Sequence, residues 1–232
     1  MARFSIFSSD TSRRIAEADS VAVIGLGRFG SSLALELMSH GTEVVGIDSD
    51  EEVVQSMNGE LTQVVRADST RDEALRQLGI DEFDRVVVAI GDDISASILT
   101  CSVLLTMKIP SIWAKANDDR HGRILEQLGV HHVIYPEKDM GRRVAHLVRG
   151  AALDYLEIEP GYAIVKSGVP ALLRGKRLGD SGLRAAYGVT IAAFKHGGEA
   201  WKNADADTLL QEGDTILLVG PTSDAENFAQ LR

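Results

Sequence analysis

Short apolar runs alternate with helical patterns along the chain from residue 20 to residue 136. The runs are rich in valine and isoleucine and mostly continuous, which is typical of strands covered on both faces. The predicted strands are Val21–Ile24, Glu43–Ile47, Gln63–Arg66, Arg85–Ile90, Ser111–Ala114 and His132–Tyr135. The predicted helices between them are Phe29–His40, Asp50–Met57, Thr70–Leu78, Ile94–Met107 and Asp118–Leu128. This alternation predicts an α/β domain with a doubly wound parallel sheet.

The pattern changes after Lys138. An amphipathic helix is predicted over Met140–Leu153, and the pair Gly197-Gly198 is typical of a hairpin turn. The other predicted elements are strands at Tyr155–Ile158, Tyr162–Val169, Val189–Lys195 and Thr215–Val219 and a final helix at Asp224–Leu231. We therefore predict an N-terminal extension (residues 1–19), a first domain with its following helix (residues 20–150) and a smaller α+β C-terminal lobe (residues 151–232).

Composition and charge narrow the class of protein. The chain has 232 residues, 44% hydrophobic and 25% charged, so two unequal domains can each bury a core. Its net charge of −10 argues against nucleic acid and against direct adsorption to anionic lipid, because both require basic surfaces. No apolar run approaches the ~20 residues that span a bilayer, and the N-terminus does not resemble a signal peptide. The single Cys101 predicts a packed thiol and provides no disulfide framework. We expect a cytoplasmic protein without direct membrane insertion.

A glycine-rich turn joins the first predicted strand to the first predicted helix. Its sequence is Gly25-Leu26-Gly27-Arg28-Phe29-Gly30. Gly25 permits a tight turn, Gly27 lets a phosphate approach the backbone, and Gly30 lets helix and strand pack closely. A phosphate would meet free N–H groups at the positive end of the helix. In this strand–turn–helix context, the spacing predicts a Rossmann-type domain that binds an adenine nucleotide.

Two charged side chains favour a nucleotide at this turn. Asp48 ends the second predicted strand, where a carboxylate would hold ribose hydroxyls and disfavour the 2′-phosphate of NADP. Arg28 could fork onto the terminal phosphate oxygens. The alternative is that Arg28 is a solvated arginine at the helix start, where its charge opposes the helix dipole.

Other strand ends on the same edge of the predicted sheet carry further candidates. The segment Asp68-Ser69-Thr70 could either cap the next helix or face the base of a nucleotide. Ala89-Ile90-Gly91 ends the fourth predicted strand. Lys115 ends the fifth and is either a second cation for the phosphates or a surface lysine.

The motifs together resemble a known family. They are GLGRFG (residues 25–30) with Asp48, ADST (67–70), VVVAIGDD (86–93), IWAKA (112–116) and YPEKDMG (135–141). In this combination the chain resembles the RCK-domain regulatory subunits of bacterial potassium uptake systems, of the KtrA/TrkA type. The resemblance covers nearly the whole chain, and the C-terminal lobe resembles the C-terminal RCK domain of that family.

This resemblance implies a cytosolic gating-ring subunit and not an enzyme. Similar proteins form dimers and commonly octamers, and they dock on a separate membrane subunit that translocates potassium. The implied ligands in the Rossmann cleft are ATP or ADP and, in some members, NAD(H). The implied phosphate contacts are Gly25, Gly27, Arg28, Phe29, Gly30 and Lys115. Asp48 would contact the ribose, and Asp68 and Ser69 the base.

The resemblance implies two further sites. Glu137 would lie at a dimer seam where similar proteins hold a divalent cation or sodium. Some similar proteins also pair their C-terminal lobes around cyclic di-AMP, and Leu183–Ile191 resembles the stretch that lines that pocket. Arg184, Ala185 and Thr190 are then the candidate contacts. However, Ala204-Asp205-Ala206 stands where relatives often carry proline, and Thr190 where some carry asparagine. A plain dimerising lobe with Arg184 in a surface ion pair therefore stays an open alternative.

An NAD-dependent oxidoreductase is the alternative function. Tyr162 and Lys166 have the Tyr-x-x-x-Lys spacing of short-chain dehydrogenases, which requires a helix. The surrounding residues instead predict a strand, on which residues four apart are too distant to act together. Adjacent histidines on a strand point to opposite faces, and no zinc-site spacing accompanies His131 and His132, so loop or strand-edge histidines are favoured. The sequence contains no Walker loop, so slow or absent nucleotide hydrolysis is expected.

Overall fold

The structure, a computed structural model, describes residues 20–150 and 152–231. The predicted N-terminal extension, residues 1–19, lies outside the described residues, as do residues 151 and 232. The chain divides into two compact units, Met1–Glu137 and Lys138–Arg232. This division falls within the helix Pro136–Arg149, whereas the sequence pattern placed the boundary between the domains after that helix, near residue 150.

The first unit is a parallel sheet with helical crossovers. Its strands are β1 (Ser20–Ile24), β2 (Glu43–Asp48), β3 (Gln63–Arg66), β4 (Arg85–Val88), β5 (Ser111–Lys115) and β6 (His132–Ile134). Its helices are α1 (Arg28–Ser39), α2 (Glu51–Met57), α3 (Asp72–Gln77), α4 (Ile94–Thr106) and α5 (Asp119–Leu128). Each of these elements was predicted from the sequence, with bounds that differ by at most two residues.

The strand order of this sheet defines where a ligand can bind. All neighbours are parallel, in the order β3-β2-β1-β4-β5-β6. Alternate residues of β1 enter different cores, with Ile24 packing on one side of the sheet and Val23 on the other. The order reverses between β1 and β4, because the chain returns past β1 after β3. In doubly wound sheets ligands bind at this point, outside the carboxyl ends of the strands.

The helices that start along this carboxyl edge differ in whether an acidic side chain caps the N-terminus. α2, α4 and α5 begin at the aspartate caps Asp50, Asp93 and Asp118, whose side chains accept backbone N–H groups of the first turn. α1 begins instead after Gly27, with no side-chain cap and no acidic residue in its first turn. The positive end of α1 therefore remains available to an anion.

The second unit is an antiparallel sheet covered on one face by short helices. Its strands are β7 (Asp154–Glu159), β8 (Tyr162–Gly168), β9 (Thr190–Lys195), β10 (Lys202–Asn203) and β11 (Thr215–Pro221). They are ordered β10-β9-β11-β8-β7. The helices α7 (Leu183–Tyr187) and α8 (Thr222–Ala229) contribute Leu183 and Phe228 to a core that includes Val165 and Leu218. This arrangement confirms the predicted α+β lobe.

Three features of this half differ from the sequence predictions, and one of them is the short helix α7, which was not predicted. The helix predicted over Met140–Leu153 is α6 (Pro136–Arg149), which begins and ends earlier. Proline suits the first position of a helix, because its fixed φ is helical and its missing N–H is not needed there. β10 was not predicted and pairs antiparallel with β9 across a turn at Gly197-Gly198.

Two observations concern the sequence predictions about membrane-spanning segments and about Cys101. Among the described residues, no helix is both long and apolar enough to cross a bilayer. Cys101 is fully buried in α4, and burial raises the pKa of its thiol to about 12. The prediction of a packed thiol is therefore confirmed.

Candidate nucleotide-binding site

A cleft of about 310 Å³ opens at the carboxyl edge of the first sheet. Its walls come from the segments that follow β1, β2, β3 and β4, where the strand order reverses. The predicted site residues that line it are Gly25, Gly27, Asp48, Asp68, Ser69, Ala89, Ile90 and Gly91. The volume lies at the lower end of the range that is usual for small-molecule sites.

The glycine turn has the geometry that its spacing predicts. Gly25 has φ +92°, a conformation that favours glycine, and its N–H donates to the Ile47 carbonyl at 2.8 Å. A Cβ on Gly30 would lie 1.8 Å from the Gly25 carbonyl oxygen, so helix and turn pack only with glycine there. A Cβ on Gly27 would meet no atom of the described residues within 4 Å, apart from Gly27 itself and its two chain neighbours. Because Gly27 also lines the cleft, the open space beside it is available to a ligand.

Asp48 is held in place by the backbone on both sides. Its Oδ2 accepts the N–H of Leu26 at 2.6 Å, and its Oδ1 accepts the N–H of Asp50 at 2.9 Å. The first bond ties the carboxylate to the glycine turn and the second to the start of α2. Each carboxylate oxygen can accept a further hydrogen bond, so Asp48 keeps the capacity to bind ribose hydroxyls.

The segment after β3 presents one charged group to the cleft. Oδ1 of Asp68 accepts from the backbone N–H and the hydroxyl of Thr70, at 3.0 and 2.6 Å. The side-chain bond from Thr70 is the main cause that lowers the pKa of Asp68. Ser69 is buried, and its hydroxyl lies 2.8 Å from that of Thr100. The alternative of helix capping is wrong, because the N-cap of α3 is Arg71, which makes no side-chain cap.

The cleft includes acidic residues that the sequence patterns did not single out as ligands. Asp50, Asp92 and Asp93 line it together with Asp48 and Asp68. Among the described residues that line it, none is lysine, arginine or histidine. The position of these aspartates just after β2 and β4 was the available signal, and Asp50 and Asp93 also cap α2 and α4. A ligand with phosphates would therefore need the N-terminus of α1 and cations outside this lining to meet its negative charge.

The remaining predicted phosphate contacts form a cluster beside the cleft. Arg28 is the exposed first residue of α1, and Lys115 Nζ lies 5.9 Å from the ring centre of Phe29. The Lys115 side chain is only 11% exposed, and its Nζ lies 2.5 Å from Oε1 of Glu137. This bond is the main cause that lowers the pKa of Glu137, and the charge of Arg28 adds to it. A Cβ on Gly91 would lie 3.0 Å from Lys115 Nζ, so the cluster borders the cleft wall.

A single chain does not build a complete cation site at Glu137. Its carboxylate is paired with Lys115. Within residues 20–150 and 152–231, no three histidine, cysteine, aspartate or glutamate side chains converge as metal ligands. The described residues of one chain therefore do not supply a full donor set for a bound cation.

The competing candidates have structural roles. Nδ1 of His131 accepts the N–H of Ile112 at 3.0 Å, and the ring of His132 stacks on that of Trp113 at 4.1 Å. Tyr162 and Lys166 both lie on β8, which confirms the predicted strand. Their spacing therefore lacks the helical geometry that dehydrogenase chemistry needs.

A second cavity, of about 440 Å³, opens in the second unit. Arg184, Ala185 and Thr190 all line it, and so does the segment Ala204–Ala206. Nε of Arg184 donates to Oγ1 of Thr190 at 3.1 Å. The structure therefore brings the three predicted contacts together at one groove.

The parallel sheet, the uncapped glycine turn and the fixed Asp48 define a protein with a Rossmann-type nucleotide-binding fold. Known protein families narrow this class. Residues 21–136 match the TrkA-N domain, and residues 162–231 match the TrkA-C domain. The chain belongs to the KtrA/TrkA-type family of RCK potassium uptake proteins. The resemblance inferred from the motifs is thereby confirmed.

Individual relatives agree with this family over almost their full length. The chain is 38% identical over 208 residues to Ktr system potassium uptake protein C of Bacillus subtilis (strain 168), covering 89% of this chain and 94% of that protein. It is 38% identical over 207 residues to Ktr system potassium uptake protein A of Vibrio alginolyticus, with the same coverage.

Solved structures share the fold at low identity. The crystal structure of the GsuK RCK domain has a TM-score of 0.64 and 18% identity, covering 91% of this chain and 48% of that one. A structure of the GsuK channel bound to NAD has a TM-score of 0.64 and 17% identity, covering 93% and 40%. This chain therefore spans about half or less of those chains, and the likeness is one of fold.

Proposed function

We propose that this chain is a nucleotide-sensing regulatory subunit of a potassium uptake system. The observation that carries the proposal is the cleft where Gly27 leaves the backbone open and Asp48 is fixed beside it. The relatives named as potassium uptake proteins support potassium transport as the regulated process. A sensor needs only different affinities for a ligand in two conformations, so no catalytic group is required and the chain is not an enzyme.

ATP and ADP are the proposed ligands of the cleft, with NAD(H) as a further one. The GsuK channel structure bound to NAD supports a dinucleotide on this fold. Asp48 suits a ribose with free hydroxyls, and Asp68 offers an acceptor to the amino group of adenine. Ser69 contributes to the wall, since its hydroxyl is already bonded to Thr100.

The phosphates would be held by the start of α1 and the cations near it. Gly27, Phe29 and Gly30 offer backbone N–H groups at a helix end without a side-chain cap. Arg28 is exposed and free to turn toward terminal phosphates. Lys115 adds positive charge, and its bond to Glu137 sets how much of that charge reaches the ligand.

We also propose that Glu137 binds a cation, either divalent or sodium. Because one chain does not supply the ligands, the others would come from a second chain or from the phosphates. The exposed Glu137 carboxylate, at the first turn of α6, supports this arrangement.

We extend the proposal to cyclic di-AMP in the second unit. Arg184 supplies a cation, Thr190 a hydroxyl and Ala185 a small side chain at the wall of the 440 Å³ groove. The ligand has two equivalent halves, so a pair of such grooves on two chains would suit it.

The same proposal includes a homo-oligomer, from a dimer to an octameric ring. Met140, Val144 and Val148 follow at intervals of four along α6, and they are 54%, 45% and 80% exposed. Such a stripe suits coverage by a second copy. The assembled ring would lie in the cytoplasm against a membrane potassium-translocating subunit, without nucleic acid partners.

The proposal is tested by identifying the ligand directly. Mass spectrometry of small molecules released from the purified protein, followed by calorimetric titration of ATP, ADP and NADH into the emptied protein, should detect adenine nucleotides with dissociation constants at or below the micromolar range. Absence of a bound nucleotide together with flat titrations for all three would overturn it.

A further inference from the structure

Asn117 connects the end of β5 to the wall of the nucleotide cleft. Its Nδ2 donates to the carbonyl oxygen of Gly91, which follows β4 and lines the cleft. Asn117 itself is exposed and is not among the lining residues. A side chain outside the cleft therefore fixes backbone that belongs to its wall.

The wall is confined on its other side by the glycine turn. The Cβ position of Gly25 lies 3.0 Å from the carbonyl carbon of Ala89 and 3.0 Å from the N of Ile90. Because Gly25 has no Cβ, the segment Ala89–Gly91 can pack closely against the glycine turn, and its position is linked to that of the turn. The bond from Asn117 holds this segment from outside the cleft.

His121 in turn holds Asn117. The backbone N–H of Asn117 donates to Nδ1 of His121 at 3.3 Å. His121 lies in the first turn of α5 and is 1% exposed. Its backbone N–H donates to Oδ1 of Asp118 at 2.8 Å. Burial lowers the pKa of His121, against the opposing effect of Asp118, so the ring is neutral near pH 7.

The contact to Asn117 determines the tautomer of the ring. Because Nδ1 accepts a hydrogen bond, the neutral imidazole carries its hydrogen on Nε2. Nε2 is buried, and it has no hydrogen-bond partner within the part of the chain that the structure describes. A buried donor without a partner disfavours the folded state. The favourable contribution of His121 at this position is therefore the hydrogen bond that Nδ1 accepts from Asn117.

We propose that His121 and Asn117 are positioning residues for the nucleotide site. His121 orients the loop after β5 through Nδ1, and Asn117 holds the Gly91 carbonyl so that the wall after β4 keeps its binding shape. This inference rests on nucleotide binding in the cleft. It adds two residues that act on affinity through the backbone, without a contact to the ligand.

The test compares three substitutions of His121 in the full chain. His121→Asn places an amide oxygen near the position of Nδ1, His121→Gln places its amide near Nε2, and His121→Leu provides no acceptor. ADP affinity, measured by calorimetry, should fall by about 2- to 10-fold for leucine and glutamine, as expected for one hydrogen bond of ordinary strength. Asparagine should stay within about twofold of the unsubstituted chain.

His131 provides a matched control. Its Nδ1 also accepts a backbone N–H, that of Ile112 at 3.0 Å, but at the amino end of β5. His131→Leu should leave ADP affinity unchanged. An equal loss for His131→Leu and His121→Leu, or no loss for His121→Leu, would overturn the proposal.

Asn117→Ala keeps the test decisive if His121→Leu does not fold, because Asn117 is exposed. It should weaken ADP binding by a similar factor, and unchanged affinity would contradict the inference. Failure of the inference is distinct from failure of the proposed function. In the first case the unsubstituted chain binds ADP and these variants match it, and in the second the unsubstituted chain itself binds no nucleotide.

Discussion

Gly30 and Gly25 lie so close together that a Cβ on Gly30 would be 1.8 Å from the carbonyl oxygen of Gly25. A Cβ on Gly27, in the same turn, would have no atom of the described residues within 4 Å beyond Gly27 and its chain neighbours. The glycines of one motif therefore have separable roles. Gly30 allows α1 to pack against the turn, whereas the space beside Gly27 is open and is where we propose that a ligand binds.

Alanine substitutions should separate these two roles. Gly30→Ala should lower the free energy of unfolding by about 1–3 kcal/mol or more, because the added methyl group overlaps the backbone. Gly27→Ala should change that free energy by about 1 kcal/mol or less, yet weaken ADP binding by about tenfold or more. Chemical denaturation and calorimetry measure the two effects.

Gly168→Ala is the control for this pair, since it also adds a methyl group in open space, but on β8. Its ADP affinity should equal that of the unsubstituted chain. If Gly27→Ala also binds ADP normally, the phosphates do not pass over this turn.

We expect Asp48 to bind the 2′-hydroxyl of the nucleotide ribose. The unsubstituted chain should bind ADP about 2- to 10-fold more tightly than 2′-deoxy-ADP, because the carboxylate accepts a bond from the 2′-hydroxyl. Asp48→Asn should weaken both ligands, since one backbone N–H loses its acceptor. It should also remove the preference between them. Calorimetric titration of both nucleotides gives this ratio, and a preference that survives in the asparagine variant would place the ribose elsewhere.

Arg28 should act on the terminal phosphates alone. Arg28→Ala should weaken ATP by about tenfold and AMP by much less, because a charge-assisted bond to the outer phosphates is lost. Arg76→Ala removes the same charge from α3, outside the cleft lining, and should affect neither nucleotide. Equal losses of affinity for ATP and AMP in the Arg28 variant would show that Arg28 is a solvated residue at the helix start and does not bind the terminal phosphates.

The first domain could be predicted closely because its elements carry strong local signals. The strands are continuous valine and isoleucine runs, and the glycine turn fixes the start of α1. The second half has weaker signals. β10 consists of Lys202 and Asn203, which show no apolar pattern, and the first turn of α6 is polar, so periodicity began only at Met140.

Sequence position placed the candidate residues on the sheet edge where the cleft opens but did not determine where each side chain points. Asp48 is the last residue of β2 and lines the cleft as expected. Lys115 also ends a strand on that edge, yet its Nζ is bonded to Glu137. The hydroxyl of Ser69 meets that of Thr100, 31 residues away. Such pairings arise only when α4, β5 and α6 are packed, so no local pattern contains them.

The apolar stripe on α6 should hold copies of the chain together. Val144→Lys combined with Val148→Lys should shift the protein toward a monomer in light scattering, because charge would replace buried apolar surface. Leu209→Lys alters a side chain that is 50% exposed in a loop of the second unit, and it should leave the mass unchanged. A monomer in the unsubstituted chain, at all concentrations and with nucleotide present, would contradict the ring.

Nucleotide control of potassium flux tests the central claim most directly. The chain would be reconstituted in proteoliposomes with the membrane potassium-translocating subunit of its own uptake system, and flux measured with ATP, with ADP and without nucleotide. We expect the flux to differ between ATP and ADP for the unsubstituted chain and for Gly168→Ala, and the difference to disappear for Gly27→Ala. Flux that depends on the chain but is the same under all three conditions would contradict nucleotide sensing at this cleft.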